Sequence, residues 1–517
     1  MARKATEVLS KKLQTTVSIQ SIRFTLLNHI QLRGLYIEDH NKDTLLYAGN
    51  AEVRITDWFI LKNKIPVLHY IGLSDAYAHL YRTRASGEWN YQFIADMLNS
   101  KSSSKKQSDI KVDLKKVSLE QVRFHMDDAW VGSDMDFGLS DFTVTADDID
   151  FDKKIINLDK LSGSGVSVYM RDYIGGRPVD STLRHRQKVV DTIVFNPDKW
   201  VVNLNSFKLD KSYFDLESAT DTPVKGVFDA THLLVKNIAL HASHIHILGD
   251  TLRAELDHLA AEERSGLTVK EMKCSVTVSP NLAICKNVML QTKYSSMKNC
   301  YYAMFYKRFP DFESYITNVV MDMKLKDAVI DERDVGYFAP QLSKYTTVLK
   351  VSGEAHGTVA DITAKHMLIT DGKSIISGDI KMKGLPDIYT TKISYTNGKM
   401  MTTGAGIIKY VPSLKDNPNI AIEKLSYFYF NGDYEGYIEN FAVNGVIKTN
   451  FGNIQPHVKM NVPGFKSDKS VYSGTIVTNH FDLGGLLRQP DLGIISLNGT
   501  VSGMSFDPEN AQINRES

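Results

Sequence analysis

The chain has 517 residues, and 61 Lys and Arg against 60 Asp and Glu leave a formal charge of +1, so no net field draws it onto nucleic acid or an anionic surface. A hydrophobic fraction of 43% and a charged fraction of 23% belong to a chain that folds, and they exclude the disordered and collagen-like classes. Compact domains stop growing near about 250–300 residues, so this length requires several domains or one extended architecture.

Residues 3–13, with Ala5, Val8, Leu9 and Leu13 on one face, predict a short amphipathic helix. Alternation then takes over. Val17 and Ile19 are followed, after a two-residue gap, by Ile22 and Phe24, the pattern expected where a strand carries a bulge or hands over to its neighbour. Trp58, Phe59 and Ile60 predict one helical turn over 57–62, and Asn90 to Leu98 predicts a short helix closing a module at 1–98. Residues 99–108, rich in Ser and Lys, read as a linker.

From 109 to 517 the alternating motif recurs from Leu114 to Phe124, Leu204 to Phe214, Val235 to Leu240, Val320 to Ile330 and Ile438 to Val446, with mostly polar residues between. Each strand therefore has one apolar and one wet face. Thr251 to Glu263 and Asn299 to Asn318 are read as helical or irregular segments. Beyond Ser343 the chain reads almost only as strands, with turns expected at Asp371-Gly372, Asn397-Gly398, Asn431-Gly432, Asn444-Gly445 and Asn498-Gly499. Such units cannot bury their apolar faces alone and must stack, which predicts an extended repetitive β structure.

Catalytic motifs are absent: there is no GxGxxG, Walker loop, GxSxG elbow or HExxH, and no cofactor is expected. His244 and His246 alternate on one strand beside His241, but no third ligand is apparent, so a solvated strand face is the reading and no metal is assigned. Asp147, Asp148, Asp150 and Asp152 alternate in the same way with Ile149 and Phe151. Cys274, Cys285 and Cys300 are too few for a disulfide framework and have no CxxC spacing. The band Tyr427, Phe428, Tyr429, Phe430, Tyr434 and Tyr437 is read as a core-filling strand, with a lipid- or partner-facing surface as the alternative. No apolar run reaches the ~18–20 residues that span a bilayer, and Met1 to Gln20 holds no signal-peptide core.

The order Leu9-Ser10-Lys11-Lys12-Leu13, Val17-Ser18-Ile19, Leu32-Arg33-Gly34-Leu35-Tyr36-Ile37-Glu38-Asp39, Asp43-Thr44-Leu45-Leu46-Tyr47-Ala48 and Glu88-Trp89-Asn90-Tyr91-Gln92-Phe93-Ile94 resembles the N-terminal domain of the AsmA/TamB-like superfamily, in its Bacteroidetes form. Gly384-Leu385-Pro386-Asp387, Gly432-Asp433-Tyr434-Glu435-Gly436-Tyr437 and Leu492-Gly493-Ile494-Ile495 fit the same family. The resemblance implies a non-enzymatic, bridge-like lipid transfer protein. Its fold would be an elongated, curled β-sheet (a β-taco) with an AsmA-like module at 1–98 and few short helices, at the periplasmic face of a bacterial envelope. It further implies phospholipid transport between inner and outer membranes, and a role in outer-membrane biogenesis or protein assembly with a TamA-type barrel partner. The family's inner-membrane helix is expected before Met1, and a continuation of the sheet after Ser517.

An uncovered apolar sheet face far exceeds the ~300–600 Å² patch usual on a soluble monomer, and acyl chains could cover it at roughly 0.8 kcal/mol per buried methylene. The positions expected to line such a groove are Leu114, Val117, Leu119, Val122, Phe124, Phe207, Leu209, Phe214, Ile238, Leu240, Met323, Leu325, Ile330, Phe441, Val443 and Val446.

Overall fold

The computed structural model describes residues 2–25, 29–55, 67–99, 111–150, 153–178, 196–415, 417–465, 469–504 and 511–515. It is mainly β, with 64% strand and 12% helix. The expected turn at 57–62 and, from residue 100, the expected linker lie outside the described residues. No helix among the described residues is long and apolar enough to cross a membrane.

The amphipathic start forms the helix Ala2–Leu13, which buries Leu13 but leaves Val8 exposed. A second helix, Gln92–Asn99, follows the strand Val67–Arg82. Two compact units are distinguished, Met1–Pro280 with Leu290–Lys293 and Asn281–Met289 with Tyr294–Ser517. The boundary expected near residue 98 thus falls inside the first unit, where Val67–Arg82 pairs in parallel with Lys111–Asp128.

Within the first unit the sheet is mixed, because Val201–Ser218 also runs parallel to Ile155–Ser164 and Ser167–Asp172. The segment Thr251–Glu263, expected to be helical or irregular, is a strand paired with His232–Leu248 and Thr268–Ser279. Its Leu252, Ala254 and Leu256 alternate like any other strand, and that period outweighs the helix propensity of Ala, Leu and Glu. The stretch 299–318 is divided: the strand Ser296–Phe305 precedes a 3₁₀ turn, Phe309–Ser314, and a single helical turn, Tyr315–Asn318.

The second unit is antiparallel throughout its described pairs and carries a device that repeats along it. In the strands Val320–Asp331, Asp361–Thr370, Lys392–Thr402 and Val471–Asp482, one residue adopts a left-handed conformation and the register to the next strand shifts there. These residues are Asp327 (φ 48°), His366 (φ 52°), Asn397 (φ 53°) and His480 (φ 51°). Short polar side chains tolerate this region best, although none escapes its cost entirely. Each bulge N–H is captured by a side chain of the following strand: Asp327 donates to Ser352 Oγ (2.9 Å), His366 to Asp379 Oδ1 (2.8 Å), Asn397 to Asp433 Oδ1 (3.0 Å) and His480 to Ser496 Oγ (3.0 Å).

The Asn-Gly signals divide accordingly. Asp371-Gly372 makes the expected turn, with the Asp371 carboxylate accepting from the N–H of Lys373 and Ser374. Asn397-Gly398, Asn431-Gly432, Asn444-Gly445 and Asn498-Gly499 instead lie inside strands. Asn397 is the bulge itself, and Gly432 faces Gly445 so closely that a Cβ on Gly432 would come 2.1 Å from the Asn444 carbonyl oxygen. Glycine here marks close strand approach rather than a turn.

Short helices interrupt the strands of the second unit on both sides of Ser343. After Val320–Asp331, Lys392–Thr402 and Val471–Asp482, the chain makes short helices Glu332–Gly336, Gly404–Tyr410 and Leu483–Leu487. Asp331, Thr403 and Asp482 cap them by accepting a backbone N–H. A Pro-x-Leu 3₁₀ turn follows each one: Pro340–Leu342, Pro412–Leu414 and Pro490–Leu492. This is an internal repeat of strand, cap, helical turn and Pro-x-Leu.

Two stability outcomes follow. Replacing Asp433 with Ala leaves the Asn397 N–H to water and should lower stability by about 0.5–1.5 kcal/mol in urea denaturation, while Asp433→Asn should retain most of it. In the first unit, desolvation raises the pKa of Asp229, but hydrogen bonds from Val224, Thr231 and His232 outweigh it and hold the carboxyl near about 2. A depressed carboxyl stabilises the fold above its unfolded pKa and loses that contribution as pH falls from about 4 through about 2. Asp229→Asn should therefore cost on the order of 1–2 kcal/mol at pH 6, with the difference from wild type vanishing towards pH 2.

Candidate functional site: an apolar sheet face

Strand register assembles the alternating apolar residues into rows that cross many strands. In the first unit one row runs Ile71, Val117, Val144, Leu161, Phe207, Ala242, Leu256 and Cys274, each directly opposite the next. A second runs Leu73, Leu119, Phe142, Gly163, Leu209, Leu240, Leu259 and Met272. A third comprises Ala78, Phe124, Phe137, Val168, Phe214 and Val235. Between the second and third rows lie Asp75, Gln121, Lys211 and Asn237, all with positive φ. The two-residue gap in the sequence is this column of irregularities: Leu119 and Val122, three apart, stay on one face because Gln121 breaks the two-residue period between them. At Gly163 a Cβ would touch Val166, Phe142 and Leu209, so residues on both sides of the gap share that face.

The second unit repeats the arrangement. One row runs Tyr302, Met323, Ala355, Ala364, Ile380, Tyr395, Tyr434, Val443 and Val458. Across the bulges lies another, Ala328, Val351, Ile369, Ile376, Met400, Phe430, Ile447 and Ile454. An open cavity of ≈ 380 Å³ sits where these rows are most aromatic, lined by Ile376, Ile380, Ile393, Tyr395, Met400, Phe428, Phe430, Tyr434, Val443 and Ile447. Desolvation pushes the Tyr434 hydroxyl up to about 12, and its ring stacks on Phe441 at 5.1 Å. The Tyr395 ring lies over Gly398, where a Cβ would come 2.4 Å from it, and its hydroxyl reaches the carbonyls of Ser377 (2.7 Å) and Lys399 (3.0 Å). Beyond the cavity, Leu425, Phe451 and Phe481 form a small closed core with Ile407 and Leu486 from the short helices.

Fifteen of the sixteen groove positions are placed as follows. Val117 and Phe207 share the first row, Leu119, Leu209 and Leu240 the second, and Phe124 and Phe214 the third. Val122 lies between Ala76 and Leu139, Ile238 opposite Ser212, and Leu114 is half-buried at its strand's start. Met323 and Val443 belong to the long row of the second unit, with Leu325 opposite Gly353, Ile330 opposite Leu349 and Phe441 between Gly436 and Met460. Val446 is the exception. The register between Phe428–Tyr437 and Asn440–Thr449 is unbroken, so Val443 and Ile447 share the cavity face and Val446 lies on the opposite one. The expected gap is absent there because Gly432 and Gly445 pair directly and need no bulge.

Of the aromatic band, Phe428, Phe430 and Tyr434 line the cavity, whereas Tyr427 and Tyr437 are exposed. Ile376, Ile380, Ile393, Tyr395 and Met400 were not among the expected positions; their alternation is as regular as that of the others, and only register shows that they meet. All sixteen expected positions are half-buried, neither closed off nor fully exposed. All the described strands belong to one sheet, and the described helices are short. Among the described residues, then, no second layer covers most of the apolar face.

His241, His244 and His246 do not converge. His246 Nδ1 pairs with Asn203 Oδ1 at 2.6 Å, His241 faces Asp257 at 3.6 Å, and His244 is an exposed left-handed residue. No disulfide joins the three cysteines, and Cys274 is part of the first apolar row. Tyr395→Phe, which removes the hydroxyl pinned to two strand carbonyls, should cost about 1 kcal/mol of stability in chemical denaturation without loss of β content by circular dichroism.

No protein-family model and no curated protein matches the chain.

Proposed function

We propose that the chain is a non-enzymatic conduit for lipid acyl chains, in which the sheet curls so that its apolar rows line a groove and headgroups remain in water at the open seam. The single observation carrying this reading is the continuity of those rows across six to nine strands without a covering layer among the described residues. A face this large must be covered by something apolar. Because each row continues from strand to strand with no charged residue inserted, a chain lying along it meets hydrocarbon at every step. Side-chain exchange alone moves it onward, with no bond made or broken. Transport of phospholipid between the inner and outer membranes of a bacterial envelope is the setting that the resemblance suggests for such a groove.

Val443 lines the cavity, whereas Lys448 on the same strand lies on the polar face over Tyr429. Val443→Asp places an unpaired carboxylate among hydrocarbon, which is costly enough to interrupt a continuous apolar path. Lys448→Asp leaves that path intact. Native mass spectrometry of the purified chain should show bound phospholipid in the wild type and in Lys448→Asp, and several-fold less in Val443→Asp at equal β content. Absence of lipid from the wild type, or equal loading of the two variants, would overturn the conduit reading.

A further inference from the structure

The polar face of the first unit holds one concentration of metal-binding side chains. The parallel pairing of Val67–Arg82 with Lys111–Asp128 puts His79 directly beside His125, and the antiparallel pairing with Ser133–Asp150 puts Asp136 on the other side of His125. Asp127 lies two residues further along the same face. His79 Nε2 is 2.9 Å from Asp127 Oδ2, and His125 Nε2 is 3.0 Å from Asp127 Oδ1. The two rings are 4.8 Å apart. One donor atom from each of His79, His125 and Asp127 falls within 4.8 Å of the others, the only such group of three found among the described residues.

A second feature is independent of that convergence. The far nitrogen of His125, Nδ1, is held by the Asp136 carboxylate. A carboxylate on the remote ring nitrogen is what fixes the tautomer and orientation of a metal-ligating imidazole and increases its basicity. Asp134, whose carboxylate accepts from the Tyr173 hydroxyl at 2.7 Å, adds negative charge on the same face.

We propose that His79, His125 and Asp127 bind a divalent transition metal of the zinc class, with Asp136 orienting His125 from behind. Two imidazoles and one carboxylate are a ligand set that zinc accepts, and ligand bonds of about 2.0–2.2 Å require the donor atoms to stand about 3.3–3.6 Å apart in a tetrahedral site. The two imidazole–carboxylate separations, 2.9 and 3.0 Å to different oxygens of Asp127, need to open by a few tenths of an ångström to reach that spacing. Nitrogen donors disfavour calcium and magnesium, which take oxygen ligands. The site lies on the face opposite the apolar rows, so it does not depend on the lipid reading.

The test is titration of the metal-stripped full chain with Zn²⁺ against a chromophoric chelator. One equivalent should bind with Kd below about 10 μM, and millimolar Mg²⁺ or Ca²⁺ should not displace it. His79→Ala and His125→Ala should each weaken binding at least tenfold, and Asp136→Asn should weaken it by about 10–100-fold through its hold on His125. His244→Ala with His246→Ala should leave it unchanged. If a histidine variant loses β content, His79→Gln serves in its place. The proposal is overturned if no stoichiometric Zn²⁺ binds below that Kd, if binding survives the loss of both His79 and His125, or if it disappears with His244 and His246 instead.

Discussion

Everything in this molecule depends on a conflict between the two-residue period of a β-strand and the need to keep one face apolar along strands of ten residues or more. The irregular residue in mid-strand resolves it. A left-handed residue such as Asn397 advances the chain by one position without advancing the pairing, so Tyr395 and Met400 reach the same cavity although an odd number of positions separates them. Bulges also increase the local twist of the strands that carry them. The cost is a polar N–H with no strand partner at each site, which Ser352, Asp379, Asp433 and Ser496 offset from the neighbouring strands.

The two faces that result differ in chemistry because they solve different problems. On the apolar face some large residues stand opposite small ones, as Met323 meets Ala355, Leu209 meets Gly163 and Phe441 meets Gly436, while others meet their like, as Phe124 meets Phe137 and Tyr395 meets Tyr434. In the second unit the wall of the open cavity includes Tyr395, whose hydroxyl is pinned to two strand carbonyls. On the polar face, charges pair across strands, as Lys324 does with Glu354 and Lys392 with Glu435. Exposed pairs of this kind contribute little to stability. They keep the wet face hydrated.

Short helices end the trough in the second unit. After every fourth strand a capped helical turn and a Pro-x-Leu turn fold over the sheet end, and Leu425, Phe451 and Phe481 close there with Ile407, Ile422, Leu483 and Leu486. Strand pairs without such a connection turn tightly instead, as at Asp371-Gly372. The apolar rows of the second unit thus end, on the side of these helices, against a small closed core.

The amino-acid sequence by itself determined the β class, the helix at Ala2–Leu13, the apolar face and, in strands such as Lys111–Asp128 and Val320–Asp331, the gap in mid-strand, because all of these are local consequences of residue spacing. The alternation that places Val117 and Leu119, or Met323 and Leu325, on one strand face was legible for that reason. Tertiary structure alone decided which strands are neighbours, and therefore that Leu119, Leu209 and Leu240 belong to one row, or that His79 and His125 meet. It also separated Asp371-Gly372, a turn, from Asn444-Gly445, a close approach of two strands, and it moved Val446 to the wet face. The same dipeptide or alternation fits both outcomes locally. Only pairing with a particular partner strand, whose own register and bulges count residues differently, selects between them.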